Sequence, residues 1–352
     1  MNTGSLSGIG SQDLAEVLAQ APRLHVSLRG ARILVTGATG WFGTWLLDAL
    51  VAMNRAAGLD LRIVAVSRRP DAFAARHPRL HAAREIEWVA ADVRDPLTIA
   101  GSVTHVIHGA TEASAKLNRE QPDRMFDTIV SGTRHVLRVA AEHPGAKVLL
   151  ISSGAVYGAQ PAGLAALSED HPLASDPLDA GHAYAEGKRA AEHLAAIWHA
   201  SSAVPVTIAR CFAFVGPHMP FDAHFAIGNF IRDVVDGDAI RIAGDGLPRR
   251  SYLYPTDLVV WLLTILVDGK PMRPYNVGAH ASLSIRELAD LCAAGAVGAT
   301  EIVVAGASGG SDYVPDTRRA RSELGLDVRV PLVDAIRRTT EWSRRLHAPQ
   351  AA

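Results

Sequence analysis

The chain has 352 residues, 48% of them apolar and 20% charged, which excludes a disordered polymer and leaves room for one large α/β unit or a main domain with a smaller lobe. Its 35 lysines and arginines against 36 acids give a formal charge of −1, so no long-range field draws it to nucleic acid or anionic lipid. Two cysteines, Cys211 and Cys292, with no C-x-x-C or H-E-x-x-H, indicate neither a disulfide framework nor a metal site, and the longest apolar run, 258–267, is far too short for a bilayer.

The first ten residues are polar and lack the charged and apolar regions of a secretory signal, so a cytoplasmic location is expected. Residues 11–30 read as a short amphipathic helix ending in a turn at Gly30, making 1–30 an N-terminal appendage. Residues 32–36 form a compact apolar strand that runs straight into Gly37-Ala38-Thr39-Gly40-Trp41-Phe42-Gly43, and helical spacing follows over 44–57. Three glycines at this spacing arise by chance about 0.2 times in such a chain, so the context carries the inference. After a buried strand and at a helix start, glycines let backbone approach a pyrophosphate, which the helix N-terminus stabilises with free amides and its dipole. Gly37, Thr39, Gly40, Trp41, Phe42 and Gly43 are therefore candidate dinucleotide-binding residues; the competing reading is a tight structural turn.

Further strands are predicted at 61–67, 86–90, 103–108, 147–152 and 206–211, separated by helical stretches that include 122–142 and 184–200. This alternation implies an α/β fold with a parallel, doubly wound Rossmann sheet over 31–215. A carboxylate at the end of the second strand binds a ribose diol and repels a 2′-phosphate. Here the segment reads Val66-Ser67-Arg68-Arg69-Pro70, a hydroxyl and two guanidiniums that suit a phosphate monoester, which favours NADP(H) over NAD(H) unless both arginines simply face solvent. Asp92 and Val93, after the third strand, are placed to meet the adenine edge. Beyond about 216 the alternation loosens into short strands (240–242, 252–254) and helices (256–267, 284–293, 333–346), a smaller C-terminal α+β substrate lobe over 216–352.

Tyr184 and Lys188 stand one helical turn apart in Tyr184-Ala185-Glu186-Gly187-Lys188. Lysine is scarce here, with only Lys116, Lys147, Lys188 and Lys270, so this Tyr-x-x-x-Lys spacing would arise by accident about 0.07 times. An ammonium beneath a phenol favours its ionised form and brings a group with a pKa of about 10 nearer to neutrality.

These segments resemble the extended short-chain dehydrogenase/reductases, the family of nucleotide-sugar epimerases, dehydratases and ketoreductases. The resemblance covers about residues 30 to 345 and rests on GATGWFG (37–43), ISSGAVYG (151–158), YAEGK (184–188), RCFAFVGP (210–217), GDGLPRRSY (244–252), YNVG (275–278) and DTRRARSELGL (316–326). It implies Tyr184 as the catalytic acid/base, and Lys188 as the group that binds the nicotinamide ribose and lowers the tyrosine pKa. It further implies Ser153 as the hydrogen-bonding hydroxyl, Ala110 against the cofactor and Arg250 on the nucleotide diphosphate. Thr111, Glu112 and Ser114, after the fourth strand, either line the sugar pocket or belong to a solvated loop. Three departures stand out. Gly154-Ala155 replaces the Asp-Glu pair of the 4,6-dehydratases, Ala213 replaces an asparagine near the sugar phosphates, and Ile129 replaces the asparagine of the N-V-x-G-T segment.

Two chemistries fit the same Ser, Tyr and Lys. An epimerase returns its hydride and tends to retain NAD, whereas a net reductase takes up fresh NADPH. Arg68 and Arg69 favour reduction at C4 of a nucleotide-linked 4-keto-6-deoxy sugar, with an NAD-dependent 4-epimerase as the alternative and a non-catalytic dinucleotide sensor as a distant one. A homodimer through 122–142 and 184–200 is expected by the same resemblance.

Overall fold

The computed structural model describes residues 8–111, 114–172, 175–221, 225–296, 298–307 and 310–347. Its strands are β1 (Arg32–Thr36), β2 (Arg62–Ser67), β3 (Ile86–Ala90), β4 (His105–His108), β5 (Lys147–Ser153), β6 (Val206–Cys211), β7 (Ile240–Ile242), β8 (Arg249–Arg250), β9 (Pro274–Val277), β10 (Leu283–Ser284) and β11 (Ile302–Val304). Its α-helices are α1 (Ser11–Gln20), α2 (Pro22–Leu28), α3 (Trp41–Ala57), α4 (Pro70–Arg76), α5 (Pro78–His81), α6 (Ala115–Glu120), α7 (Pro122–Ala141), α8 (Ala183–Ser202), α9 (Ala226–Asp236), α10 (Pro255–Asp268), α11 (Ile285–Ala294), α12 (Arg318–Leu324) and α13 (Leu332–His347).

Seven strands form one sheet in the order β3-β2-β1-β4-β5-β6-β9, every neighbouring pair parallel. The expected doubly wound Rossmann sheet is therefore present. Alternate residues serve opposite faces, as the pleat requires. Ile33, Ile63, Ile107, Leu149 and Ala209 pack on one side with α1, α2, α3 and α10, while Leu34, Val64, Val106, Leu150 and Ile208 pack on the other with α7 and α8. Chain order reverses between β1 and β4, and that switch opens a crevice at the carboxyl ends of the strands. A third cluster, from α9, α11, α13, Tyr252 and Tyr254, is the core of the smaller lobe.

Several expectations need correcting. Of the expected appendage, residues 8–30 do not hang from the fold: a proline at position 22 splits the helical stretch into α1 and α2, and Val17, Leu24 and Leu28 are buried in the main core. Asp13 of α1 accepts hydrogen bonds from Tyr254 and from Arg338 on α13, tying the segment to the smaller lobe as well. The main sheet does not stop at residue 215, because β9 pairs with β6 and α10 covers the sheet face. This explains the apolar run at 258–267: α10 is buried on all sides, including Thr264. Residues 252–254 are not a strand; Leu253 makes only an isolated bridge with Phe214. No helix among the described residues is long and apolar enough to cross a membrane.

Asp257, in the first turn of α10, is fully buried, and one carboxylate oxygen accepts the amides of Arg329 (2.9 Å) and Val330 (3.1 Å). Burial pushes its carboxyl up to about 6 from 3.8. A raised value means that the folded state holds this proton more tightly than the unfolded chain. The group is most favourable below pH 4 and loses that advantage as pH rises through 6. Asp257→Asn keeps an oxygen for both amides and removes the buried charge. It is expected to melt higher than the parent at pH 8, by up to about 3 kcal/mol of stability, and to match it at pH 4. Melts at both pH values check this, and a variant less stable at pH 8 would contradict it.

Candidate active site

The glycine turn is built by close approach. Gly37 has φ 72°, and a Cβ there would lie 2.7 Å from the Gly109 carbonyl group; one on Gly43 would lie 2.3 Å from the Gly37 oxygen. Gly40 caps α3 without a side-chain bond, and the first helical bond runs from the Thr44 amide to the Gly40 oxygen (2.9 Å). The amides of Trp41, Phe42 and Gly43 thus precede the helical ladder, and free amides at a helix start are what takes a pyrophosphate. The helix begins at Trp41 rather than at 44 because the two rings are used. Trp41 Nε1 donates to the Pro217 oxygen (2.7 Å), and Phe42 packs edge-on against Phe214 (5.0 Å).

At the end of β2, Ser67 is buried, its hydroxyl 3.1 Å from that of Thr39 and 3.3 Å from the Arg69 amide, while Arg68 and Arg69 are exposed beside it. Asp92 is held by Arg94 (2.8 Å), which keeps its carboxyl below the usual range. Val93 is buried against α7, with His135 on its carbonyl oxygen (2.9 Å), so its side chain is not presented to a ligand. Ala110 and Thr111 are half-buried at the end of β4, Thr111 touching Met125 through its hydroxyl. Ser114 caps α6 by accepting the Leu117 amide (3.2 Å) and so belongs to local structure; Glu112 lies outside the described residues.

Ser153 ends β5, and its hydroxyl accepts the Ala155 amide (3.1 Å). The same hydroxyl favours the ionised form of the Tyr184 phenol, against the effect of burial. Lys188, 4% exposed, donates from Nζ to the Ile151 oxygen (2.8 Å) and sits 5.8 Å from the centre of the Tyr184 ring. Ser153, Tyr184 and Lys188 are therefore brought together. The expected electrostatics are not found: burial pushes the Tyr184 phenol up to about 12 and Lys188 down to about 8. Desolvation of the charged form is the largest effect on both groups; what opposes it at the phenol is Ser153, while Lys188 Nζ is turned to a backbone carbonyl. His108, behind them, is pushed down to about 3 by burial and stays neutral between Thr36 (2.7 Å) and Thr133 (3.1 Å), which makes it a spacer rather than an acid.

Two site residues escaped the sequence. Asn118 clasps the start of α8, accepting the Tyr184 amide (2.9 Å) and donating to the Gly181 oxygen. Tyr313 arrives from the smaller lobe with its ring 4.6 Å from Phe212 and its phenol oxygen over Gly154, 2.6 Å from where a Cβ would stand. Arg250 lies above that ring at 5.9 Å and donates to the oxygens of Arg249 and Ser311 (both 2.8 Å). It borders the same crevice, whereas Arg249 is turned away onto Ser282 and Glu287.

Residues 33–278 match the NAD dependent epimerase/dehydratase family, well over half of the chain. The chain belongs to this family. Among curated relatives, UDP-glucuronic acid decarboxylase 3 of Arabidopsis thaliana is 30% identical over 266 residues, 74% of this chain and 72% of its own. UDP-glucuronic acid decarboxylase 1 of Xenopus tropicalis is 28% identical over 325 residues, 89% and 72%. Two solved structures share the fold: UDP-glucose 4-epimerase of Thermotoga maritima (TM-score 0.76, 20% identity, 90% of this chain and 99% of that one) and NAD-bound dTDP-glucose 4,6-dehydratase of Streptomyces venezuelae (0.76, 24%, 89% and 97%). As a member of the NAD dependent epimerase/dehydratase family, the chain is an enzyme of the extended short-chain dehydrogenase/reductase type.

The departures from the family pattern have physical counterparts. A Cβ on Gly154 would lie 2.6 Å from the Tyr313 phenol oxygen and 2.8 Å from Phe212, so no acidic side chain fits there. Ile129 is buried against Gly187, where a Cβ would come within 3.1 Å of its side chain, and closes the back of the catalytic helix with hydrocarbon. Ala213 serves through its backbone, its oxygen accepting the Leu253 amide (3.1 Å).

Proposed function

We propose that this enzyme reduces the C4 keto group of a nucleotide-linked 4-keto-6-deoxy sugar, with NADP(H) as hydride carrier. The observation that carries the reading is the crowding at Gly154: beside Ser153 and a protonated Tyr184 there is no room for the acid–base pair that a 4,6-elimination needs. A dinucleotide fits the cradle, since Gly37 and Gly43 admit no side chain and α3 presents its first amides to a pyrophosphate. Ser67, Arg68 and Arg69 would hold the 2′-phosphate. When bound, the reduced nicotinamide supplies a hydride to the carbonyl carbon. Tyr184, protonated up to about pH 12, gives its proton to the developing alkoxide, and Ser153 donates a hydrogen bond to the same oxygen. Lys188 holds the ribose side of the site, and Arg250 faces the diphosphate. The reading includes a homodimer through α7 and α8, on which Phe126 and Ile197 are exposed.

A redox-neutral enzyme that retains NAD is the second reading, favoured by relatives named as UDP-glucuronic acid decarboxylases and by the NAD of the solved dehydratase. Mixing the purified protein with a nucleotide-linked 4-keto-6-deoxy sugar and either NADPH or NADH separates the two. One NADPH consumed per product, with NADH at least about 10-fold poorer through loss of the phosphate contact, is the expected result. Protein that arrives carrying NAD and converts a sugar nucleotide without net consumption would replace this reading with the second.

A further inference from the structure

The proton donor stands where a helix holds its residues least. Tyr184 is the second residue of α8, inside the first turn, whose amides have no helical carbonyl before them to bond to. Such a turn is ordinarily fastened by its N-cap side chain, which accepts the amide of the second or third residue. His182, the N-cap of α8, makes no such bond, and its ring Nδ1 lies 3.1 Å from the Asp176 oxygen instead. Asp179 acts one step earlier, accepting the Gly181 amide (2.8 Å) at the short turn Ala180–His182.

The missing fastening comes from another helix. Asn118 Oδ1 accepts the Tyr184 amide (2.9 Å) and its Nδ2 donates to the Gly181 oxygen, so one planar amide spans the turn before α8 and the residue that carries the phenol. Asn118 is itself anchored. Its amide donates to the Ser114 oxygen (3.0 Å), Ser114 Oγ caps α6, and Leu117 beside it packs on the hydrophobic cluster that also takes Tyr184. Lys188 needs no such help, because it lies a full turn deeper with Nζ on the Ile151 oxygen (2.8 Å).

We propose that Asn118 is a positioning residue of the reaction centre: from α6 it supplies the cap that α8 lacks, and so fixes the turn that presents the Tyr184 phenol. Proton transfer is efficient only from a donor held in place, and a displacement of about 1 Å can cost on the order of 100-fold in rate. The cradle on α3 and Arg250 are untouched by the clamp, so its effect falls on turnover rather than on binding. The inference rests on Tyr184 as the proton donor of the proposed reduction.

With NADPH and a nucleotide-linked 4-keto-6-deoxy sugar, Asn118→Ala is expected to lower kcat about 10-fold and to leave both KM values within about 2-fold of the parent. Asn118→Asp keeps an acceptor for the Tyr184 amide and should stay within about 3-fold of the parent in kcat. In a Tyr184→Phe background Asn118→Ala should cause no further loss, since there is no phenol left to position. Amide hydrogen exchange of the free protein reads the clamp without substrate: over 181–186, Asn118→Ala should exchange about 5-fold faster than the parent, with the rest of α8 unchanged. Parental kcat in Asn118→Ala, a loss confined to KM, an equal loss with and without the Tyr184 phenol, a loss in Asn118→Asp as large as in Asn118→Ala, or unchanged exchange over 181–186 would each overturn the proposal. A parent that reduces no keto sugar rejects the reductase reading by itself, and exchange over 181–186 still decides whether Asn118 holds the turn.

Discussion

Tyr184→Phe is expected to lower turnover by at least about 100-fold while leaving folding and dinucleotide binding intact, in line with the contribution of a positioned proton donor. The change removes only the phenol oxygen, and the ring's packing survives in phenylalanine. The surrounding electrostatics add a pH dependence. Tyr184 stays protonated to about 12, so the first group to change charge on the alkaline side is Lys188, lowered by burial to about 8. Below pH 8 the lysine is charged and holds its place on the Ile151 oxygen; above it the charge is lost, and kcat should decline with one alkaline limb near 8. Steady-state rates of the parent and the variant from pH 6 to 10 check both points. Turnover in Tyr184→Phe within a few fold of the parent, or a parent profile flat to pH 10, would remove Tyr184 and Lys188 from the roles proposed for them.

Glu192→Leu is expected to cost about 3–5 kcal/mol of stability, the largest folding effect foreseen for a single change here. Glu192 lies one turn beyond Lys188 on α8 and grips Arg210 of β6 with both oxygens (2.7 and 3.1 Å), while Ser152 of β5 donates to the same carboxylate (2.5 Å). The two charged side chains are only 6% and 10% exposed. Removing the carboxylate leaves the Arg210 guanidinium buried with just the Tyr157 hydroxyl (2.9 Å) and the Glu169 carbonyl oxygen (3.2 Å). An uncompensated buried cation costs far more than the pair itself contributes, so Glu192→Leu combined with Arg210→Leu should recover more than half of the loss. Denaturant midpoints of the three proteins test this. A single variant within about 1 kcal/mol of the parent would show that water reaches Arg210. The pair also bolts α8 to the sheet, which keeps Tyr184 at the site and connects folding stability to the reaction.

Local chemistry was legible in the chain. Short continuous apolar runs wrote most strands of the main sheet, several to the residue, and the glycines at 37, 40 and 43 announced a turn whose crowding the structure displays. Spacing alone put Tyr184 and Lys188 on one helical face. Three other features were not legible. β9 completes the sheet after a long excursion through the smaller lobe, because a short strand buried by neighbours distant in sequence has no periodicity of its own. Residues 1–30 looked detachable because α1 finds its partners, Tyr254 and Arg338, far along the chain. Asn118 and Tyr313 carry no motif, and they become site residues only when α6 packs on the start of α8 and a loop of the smaller lobe reaches Phe212.

By itself the sequence determined the sheet-and-crevice architecture, the family, and a phenol and an ammonium on one helical face, because each is carried by local periodicity or by short motifs. Only the tertiary structure decided how those groups are charged and aimed. The i, i+4 spacing promised a phenol acidified by its lysine, but packing removed water from both and turned the ammonium to a carbonyl, so the tyrosine stands as a proton donor and the lysine is the group that titrates. Desolvation is a property of everything folded around a side chain, and no stretch of sequence near Tyr184 contains it.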